Sequence, residues 1–205
     1  MSATNVFLET PRMYFREFQA TDAPLLFELD GDPEVMRFIS KGKPTPLAKI
    51  QTDILPKFLE YYRHSPPQGF WAAHLRDSGS FIGWFHLRPN PKSAPEMELG
   101  YRLKHNVWGR GLATEGSQAL LGKAFNDWGY EKVCAHTMAD NLASRRVMEK
   151  AGLGFECEFH YDADMLHGWV EQHERRAVKY SVTRADYFRQ HPEIIQALKR
   201  SAALK

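Results

Sequence analysis

A chain of 205 residues, 43% hydrophobic and 25% charged, is long enough to bury one sizeable core and sits near the upper range for a single domain. Its 27 basic and 25 acidic side chains leave a formal charge of +2, which gives no broad field for polyanions and argues against nucleic acid as a partner. Neither a repeat nor a low-complexity tract interrupts it, so partners have to be argued from local sites.

The amino-terminal MSATNVFLETPRMYF lacks a basic start before an apolar stretch, and no apolar run is long enough to span a membrane. The chain therefore reads as soluble, cytoplasmic by default and without a membrane partner. A first strand is predicted near Met13 to Phe18, after which Thr21 is placed to cap a short helix carrying Leu25, Leu26 and Leu29. A second helix starts at Pro33. Thr45 and Pro46 open a third, with Leu47, Ile50, Ile54, Phe58 and Tyr62 at helical spacing and Pro56 expected to kink or break it. Past a Pro-rich joint at Ser65 to Gln68, FWAAHL and FIGWFHL are joined by DSGS and read as a hairpin. A loop from Pro89 to Pro95 leads into a further strand, MELGYRL. The period then changes: Ala113, Ala119, Leu120, Ala124, Phe125 and Trp128 share a helix that stops at Gly129. KVCAHTM follows as a strand, then a helix from about Leu142 to Ala151 stopped by Gly152, then strands near Phe155 to His160 and Ala177 to Val182. This order gives an α/β fold, a mixed sheet with helices on its faces.

Between MELGYRL and its helix lies WGRGLATEG. The amides of Gly109 to Thr114 start a helix and have no intrahelical partners, and the macrodipole adds about half a positive charge, which makes an anion site. Gly109 and Gly111 carry no Cβ, so an anion can approach the backbone closely, while Ala113 keeps the first turn narrow. The absence of a Walker lysine argues against an ATP γ-phosphate, and Thr114 in place of a third glycine argues against a dinucleotide. Read alone, the turn also serves as a tight strand-to-helix connection.

The segment Trp108-Gly109-Arg110-Gly111-Leu112-Ala113, with MELGYRL before it and DNLASRRVMEKAGLGF after it, resembles the GNAT superfamily of acyl-CoA N-acyltransferases. The signature there is Q/R-x-x-G-x-G/A. Trp108 departs from its first position, in the form common to the subfamily resembling ribosomal-protein N-acetyltransferases, which reads GY…WGxGxATE. The likeness runs from about Leu8 to about Tyr187 and implies one N-acetyltransferase domain over residues 1–205, with a helical tail from about 184. It implies a central sheet whose fourth and fifth strands splay apart to admit acetyl-CoA. The backbone of Tyr101, Arg102 and Leu103 would pair with the pantetheine arm. Trp108, Gly109, Arg110, Gly111, Leu112, Ala113 and Thr114 would form the pyrophosphate cradle, and Asn141 would bond the arm from the other side. Asn141 equally suits a helix cap.

The chemistry then needs an amine made neutral and a thiolate that is protonated or stabilised. Glu98 shares a strand face with Gly100 and Arg102 and is the first candidate for base or water-organiser; an ion pair is the alternative reading. His74, His86 and His136 are alternatives on predicted strands, each with a structural role as the competing reading. For the acid, many relatives place Tyr seven residues after the Asn, where this chain has Met148, and the resemblance points instead to Ser144. Cys134 and Cys157 are too few for a disulfide framework or zinc site, so no metal is expected and a reducing compartment fits. Both lie in apolar strand patterns where burial would leave the thiol inert, which favours direct transfer without an acetyl-enzyme. At pH 7 an α-amine near pKa 7.7 needs about 1 kcal/mol to become neutral and lysine about 4.6, so a weak carboxylate suits the former. Protein amino termini, polyamines and antibiotics stay open as acceptors, with Phe38, Tyr62, Trp71, Trp84 and Trp169 as candidate pocket aromatics. A non-catalytic acyl-CoA-binding module is the alternative function, and a homodimer is compatible with the sequence.

Overall fold

Strands that are apolar at every position need cover on both faces, and FWAAHL and FIGWFHL are of that kind. The computed structural model describes residues 5–64, 67–90, 96–162 and 172–194. Its strands are β1 (Val6–Glu9), β2 (Met13–Glu17), β3 (Gly69–Leu75), β4 (Phe81–Pro89), β5 (Met97–Leu103), β6 (Lys132–Met138), β7 (Gly154–His160) and β8 (Arg176–Thr183). They form one sheet in the order β1-β2-β3-β4-β5-β6-β8-β7, antiparallel throughout except where β5 meets β6. Helices α1 (Ala23–Asp30), α2 (Pro33–Ser40), α3 (Leu47–Lys49) and α4 (Leu55–His64) precede β3. Their Leu26, Leu29, Val35, Leu55 and Phe58 pack with Phe70, Ala72 and Trp84 on one face. On the other face α5 (Leu112–Gly122), α6 (Leu142–Lys150) and α7 (Arg184–Gln190) bring Leu120, Leu121, Met148 and Tyr187 against Phe85, Leu87, Leu99 and Leu103. Both faces of β3 and β4 are thereby buried, as their sequence requires.

Three expectations change. A four-residue strand, β1, precedes the predicted first strand and raises every later strand number by one. The cap of α1 is Asp22, not Thr21, and its carboxylate accepts from the Gln19 amide and from Arg16 at 2.6 Å. Pro56 does not break its helix. The amide that Pro56 lacks is accommodated by a π turn at Ile50–Ile54, in which Leu55 donates five residues back to Ile50. Of the predicted carboxyl-terminal helix, α7 is present and residues 195–205 lie outside the described residues, as does Trp169.

Two features place the site. Among the described residues, β5 and β6 pair at Met97↔Val133 and Glu98↔Cys134 and then part, so the expected splay falls between these two strands. Just below the paired positions, Glu96 holds Lys132 at 2.6 Å and Lys179 at 2.7 Å, and Glu156 holds the same two lysines at 2.9 Å each. Glu156 reaches them because a bulge between Phe155 and Cys157 turns its side chain onto that face.

Candidate active site

At the head of the slit, Gly109 and Gly111 adopt φ of +72° and +77°, a region closed to most side chains. The pair turns the chain from β5 into α5, whose N-cap is Gly111 and whose first turn has no side-chain cap. Glu115 donates the first intrahelical amide, to Gly111, which leaves the Leu112, Ala113 and Thr114 amides pointing out of the helix end. Arg12, from the turn before β2, fixes this loop. Its Nη1 donates to the Arg110 carbonyl at 2.8 Å, while its Nε and backbone amide donate to the Glu115 carboxylate at 2.6 and 3.0 Å. Partial burial works against the Glu115 charge, but the hydrogen bonds from Thr10 and Arg12 prevail and hold its carboxyl below the usual range. Beside this loop a groove of about 550 Å³ is lined by Thr10, Arg12, Gly111, Thr114, Glu115 and Lys150. Trp108 braces the loop from below, with its indole donating to the Leu103 carbonyl at 2.9 Å.

The backbone phase of β5 decides which groups face the slit. Lys104 donates to Ile82 and Asn90 to Glu96, both at 2.8 Å, and the register between them is unbroken. Even-numbered residues of β5 therefore turn their amides and carbonyls to β4, and Leu99, Tyr101 and Leu103 turn theirs to the slit. Arg102 departs from the expectation here: its backbone faces β4. Its side chain donates to buried Asp30 at 2.6 Å and lies over Trp84, tying α1 to β5.

Side chains alternate the other way round. Glu98, Gly100 and Arg102 share the face that carries α1 to α4. Glu98 is held by Arg88 Nη2 at 3.0 Å through one oxygen, and His136 Nδ1 stands 3.8 Å from the other, beyond direct hydrogen-bond length. Burial opposes its charge, yet His136, His86 and Arg88 together outweigh it and hold the carboxyl down at about 2. Glu98 is thus ionised at any working pH and faces an imidazole across the end of the β5–β6 pairing.

Ser144 lies on the opposite face. Its amide is capped by the Asn141 side chain at 3.2 Å, so Asn141 fills the helix-cap role, and its hydroxyl meets the Tyr101 phenol at 3.0 Å. Tyr101 spans from β5 to α6, and burial pushes its phenol above the usual range. Glu98 and Ser144 therefore flank the slit from its two sides.

Cys134 is buried and burial raises its thiol to about 12, as expected, but Cys157 is exposed, because β7 is an edge strand. The aromatic pocket is also corrected. Trp71 is core, stacked on Phe7 at 4.3 Å, and the Tyr62 hydroxyl is engaged by the Phe18 amide and the Phe70 carbonyl. Trp84 is buried, and Phe38 is half-buried beneath Arg37. Sequence reasoning missed Arg12, Arg88 and Asp30. Arg88 had a signal, since in a hairpin continued into MELGYRL it stands directly opposite Glu98.

An extended arm ending in phosphates fits this slit: it can pair with the open edge of β5 while its anionic end reaches the α5 amides. A sheet divided in this way has the architecture of an acyl-CoA N-acyltransferase. The chain belongs to the GNAT acetyltransferase family, whose acetyltransferase (GNAT) domain matches residues 12–154, and it is an acetyl-CoA-dependent N-acetyltransferase. It is 34% identical over 170 residues to the FsC-acetyl coenzyme A-N(2)-transacetylase of Aspergillus fumigatus, covering 79% of this chain and 69% of that protein. The GNAT-family acetyltransferase of Bacillus anthracis shares the fold with a TM-score of 0.70 at 19% identity, covering 87% of this chain and 98% of the other. An aminoglycoside acetyltransferase in complex with coenzyme A does so with 0.67 at 22%, covering 87% and 99%. These findings set aside the non-catalytic alternative. Among the described residues no helix is long and apolar enough to cross a membrane, and no group of His, Cys, Asp or Glu is arranged to hold a metal.

Proposed function

We propose that the chain acetylates a primary amine of a small molecule by direct attack on acetyl-CoA within a ternary complex. The observation that carries this reading is the ionised Glu98 beside His136 at the point where β5 and β6 part. In the proposed step the ammonium first gives its extra proton to solvent, Glu98 orients His136, and His136 takes the second proton, which the neutral amine sheds as it attacks. The amine nitrogen bonds to the thioester carbon, the C–S bond breaks, and the Ser144 hydroxyl, backed by Tyr101, protonates the departing thiolate. Acetyl-CoA would lie along β5, with pantetheine on the slit-facing groups of Tyr101 and the Leu103 amide, pyrophosphate on the amides from Gly109 to Thr114, and Asn141 bonding the arm from the other side. An acceptor of the α-amine class, which becomes neutral at pH 7 for about 1 kcal/mol, suits an imidazole base better than lysine does, and the Aspergillus relative is named for an N(2) acetylation.

The test is thiol release from acetyl-CoA across a panel of small α-amines, polyamines, aminoglycosides and peptides with free amino termini. Turnover is expected with small α-amines, with intersecting initial-rate lines. Turnover with peptides alone would move the acceptor to proteins, and parallel lines with a trapped acetyl-cysteine would replace direct attack by a ping-pong route.

A further inference from the structure

His86 lies on β4 directly opposite Gly100 of β5 and is 6% exposed. A Cβ on Gly100 would stand 2.2 Å from its Nε2, so the imidazole occupies the side-chain space of residue 100. Gly100 comes two residues after Glu98, the last position at which β5 pairs with β6. The ring thus overlies the strand where the slit opens, on the face of Glu98 and His136. Phe70 and Trp84 close around it at 4.8 and 5.6 Å between ring centres, and Glu98, Arg88 and Arg102 are the charged groups about it.

Neither ring nitrogen of His86 has a hydrogen-bond partner among the described residues. An imidazole always presents at least one N–H, and burying such a group unpaired costs about 1–3 kcal/mol. A second concession, a glycine inside a strand, makes room for it. An apolar side chain of this size at 86 would still need Gly100 but would avoid the unpaired N–H, so the ring leaves a donor open beside the slit. Burial drives the imidazole down to about 3 against the attraction of Glu98, which keeps it neutral and makes it a weak proton acceptor but a fixed donor.

We propose that the ring N–H of His86 donates to the thioester carbonyl oxygen of acetyl-CoA and stabilises the oxyanion formed when the amine attacks. The proposal rests on the reading above, that the acetyl group lies where β5 and β6 part. As the N–C bond forms, the carbonyl π pair moves onto oxygen and His86 donates to it without giving up its proton. Collapse restores the carbonyl and breaks the C–S bond. The amine proton leaves on His136, the thiolate takes one from Ser144, and solvent returns both residues to their starting states.

The experiment compares wild type, H86L, H86Q and G100A with a responsive amine and with acetyl-CoA labelled with carbon-13 at the carbonyl. Removal of one oxyanion donor is expected to lower kcat of H86L about 100- to 1,000-fold. The acetyl-CoA Kd should stay within about twofold, and the shape of the pH profile should not change. H86Q keeps an N–H and should exceed H86L by about tenfold or more. The infrared carbonyl stretch of bound acetyl-CoA should lie lower in wild type than in H86L or in G100A, where the added methyl displaces the ring. An equal stretch in wild type and variants, an undiminished kcat in H86L, or loss of one pH limb would overturn the role. If H86L does not fold, the stretch in G100A decides. Failure of wild type to bind acetyl-CoA strikes the reading of the slit itself, whereas binding with an unshifted carbonyl strikes His86 alone.

Discussion

Replacing Glu98 by glutamine keeps its shape and removes its charge, and the structure sets the size of the effect. The carboxyl falls from the usual value near 4.5 to about 2 because His136, His86 and Arg88 outweigh its burial. At about 1.4 kcal/mol per pKa unit this amounts to about 3 kcal/mol of folding stability. Only 16% of the side chain is exposed, so solvent screening removes little of it. A depressed carboxyl contributes fully above its unfolded value and loses that contribution as pH falls through the folded one. The full amount is therefore present at pH 7, about 2 kcal/mol remains at pH 3.5, and essentially none survives below pH 2. Urea unfolding of wild type and E98Q at pH 7, 5 and 3.5 measures the difference, in which groups that do not face Glu98 cancel. The wild-type advantage should shrink by about 1 kcal/mol between pH 7 and 3.5. A gap that stays constant across that range would refute the ion-paired assignment.

Arg12→Ala removes both ties on the phosphate loop; with about half the Arg12 side chain exposed, stability should fall by less than about 1 kcal/mol while acetyl-CoA affinity measured by calorimetry drops several-fold. Acetyl-CoA at about 100 times its Kd should stabilise the fold by about 2.7 kcal/mol in thermal or urea melts, and ATP or NAD should not compete. A chromogenic disulfide reagent should titrate Cys157 rapidly in the folded chain and Cys134 only on unfolding; two fast thiols would contradict the burial of Cys134. Converting both cysteines to alanine should leave transfer largely intact apart from a packing loss, as measured by thiol release.

The legible parts of the fold were those with one strong local cause. The hairpin of FWAAHL and FIGWFHL, the turn from MELGYRL into α5 and the stops at Gly129 and Gly152 all follow from period and backbone freedom. β1 was invisible because four half-exposed residues carry no alternation, and the survival of the helix through Pro56 depends on a π turn that has no composition signal. In the site, the glycine loop could be read directly, since its conformation is local. The Arg12–Glu115 tie could not, because it joins residues 103 apart. Whether Glu98 is a free or a paired carboxylate depends on register with Arg88 and on the neighbouring parallel strand, neither of which its own sequence contains. The direction of the Arg102 backbone required the phase of two hydrogen bonds at the ends of β5.

The ring of Glu96, Lys132, Lys179 and Glu156 lies at the closed end of the slit between β5 and β6. A cut in a stressed plate tends to lengthen from its tip, and a sheet opened between two strands faces the same hazard whenever a guest wedges them apart. Four interlocked charges, drawn from β6, β7, β8 and the residue just before β5, act there as a rivet. Prying at the mouth is resisted at the root, where the ring backs the two residue pairs that join β5 to β6.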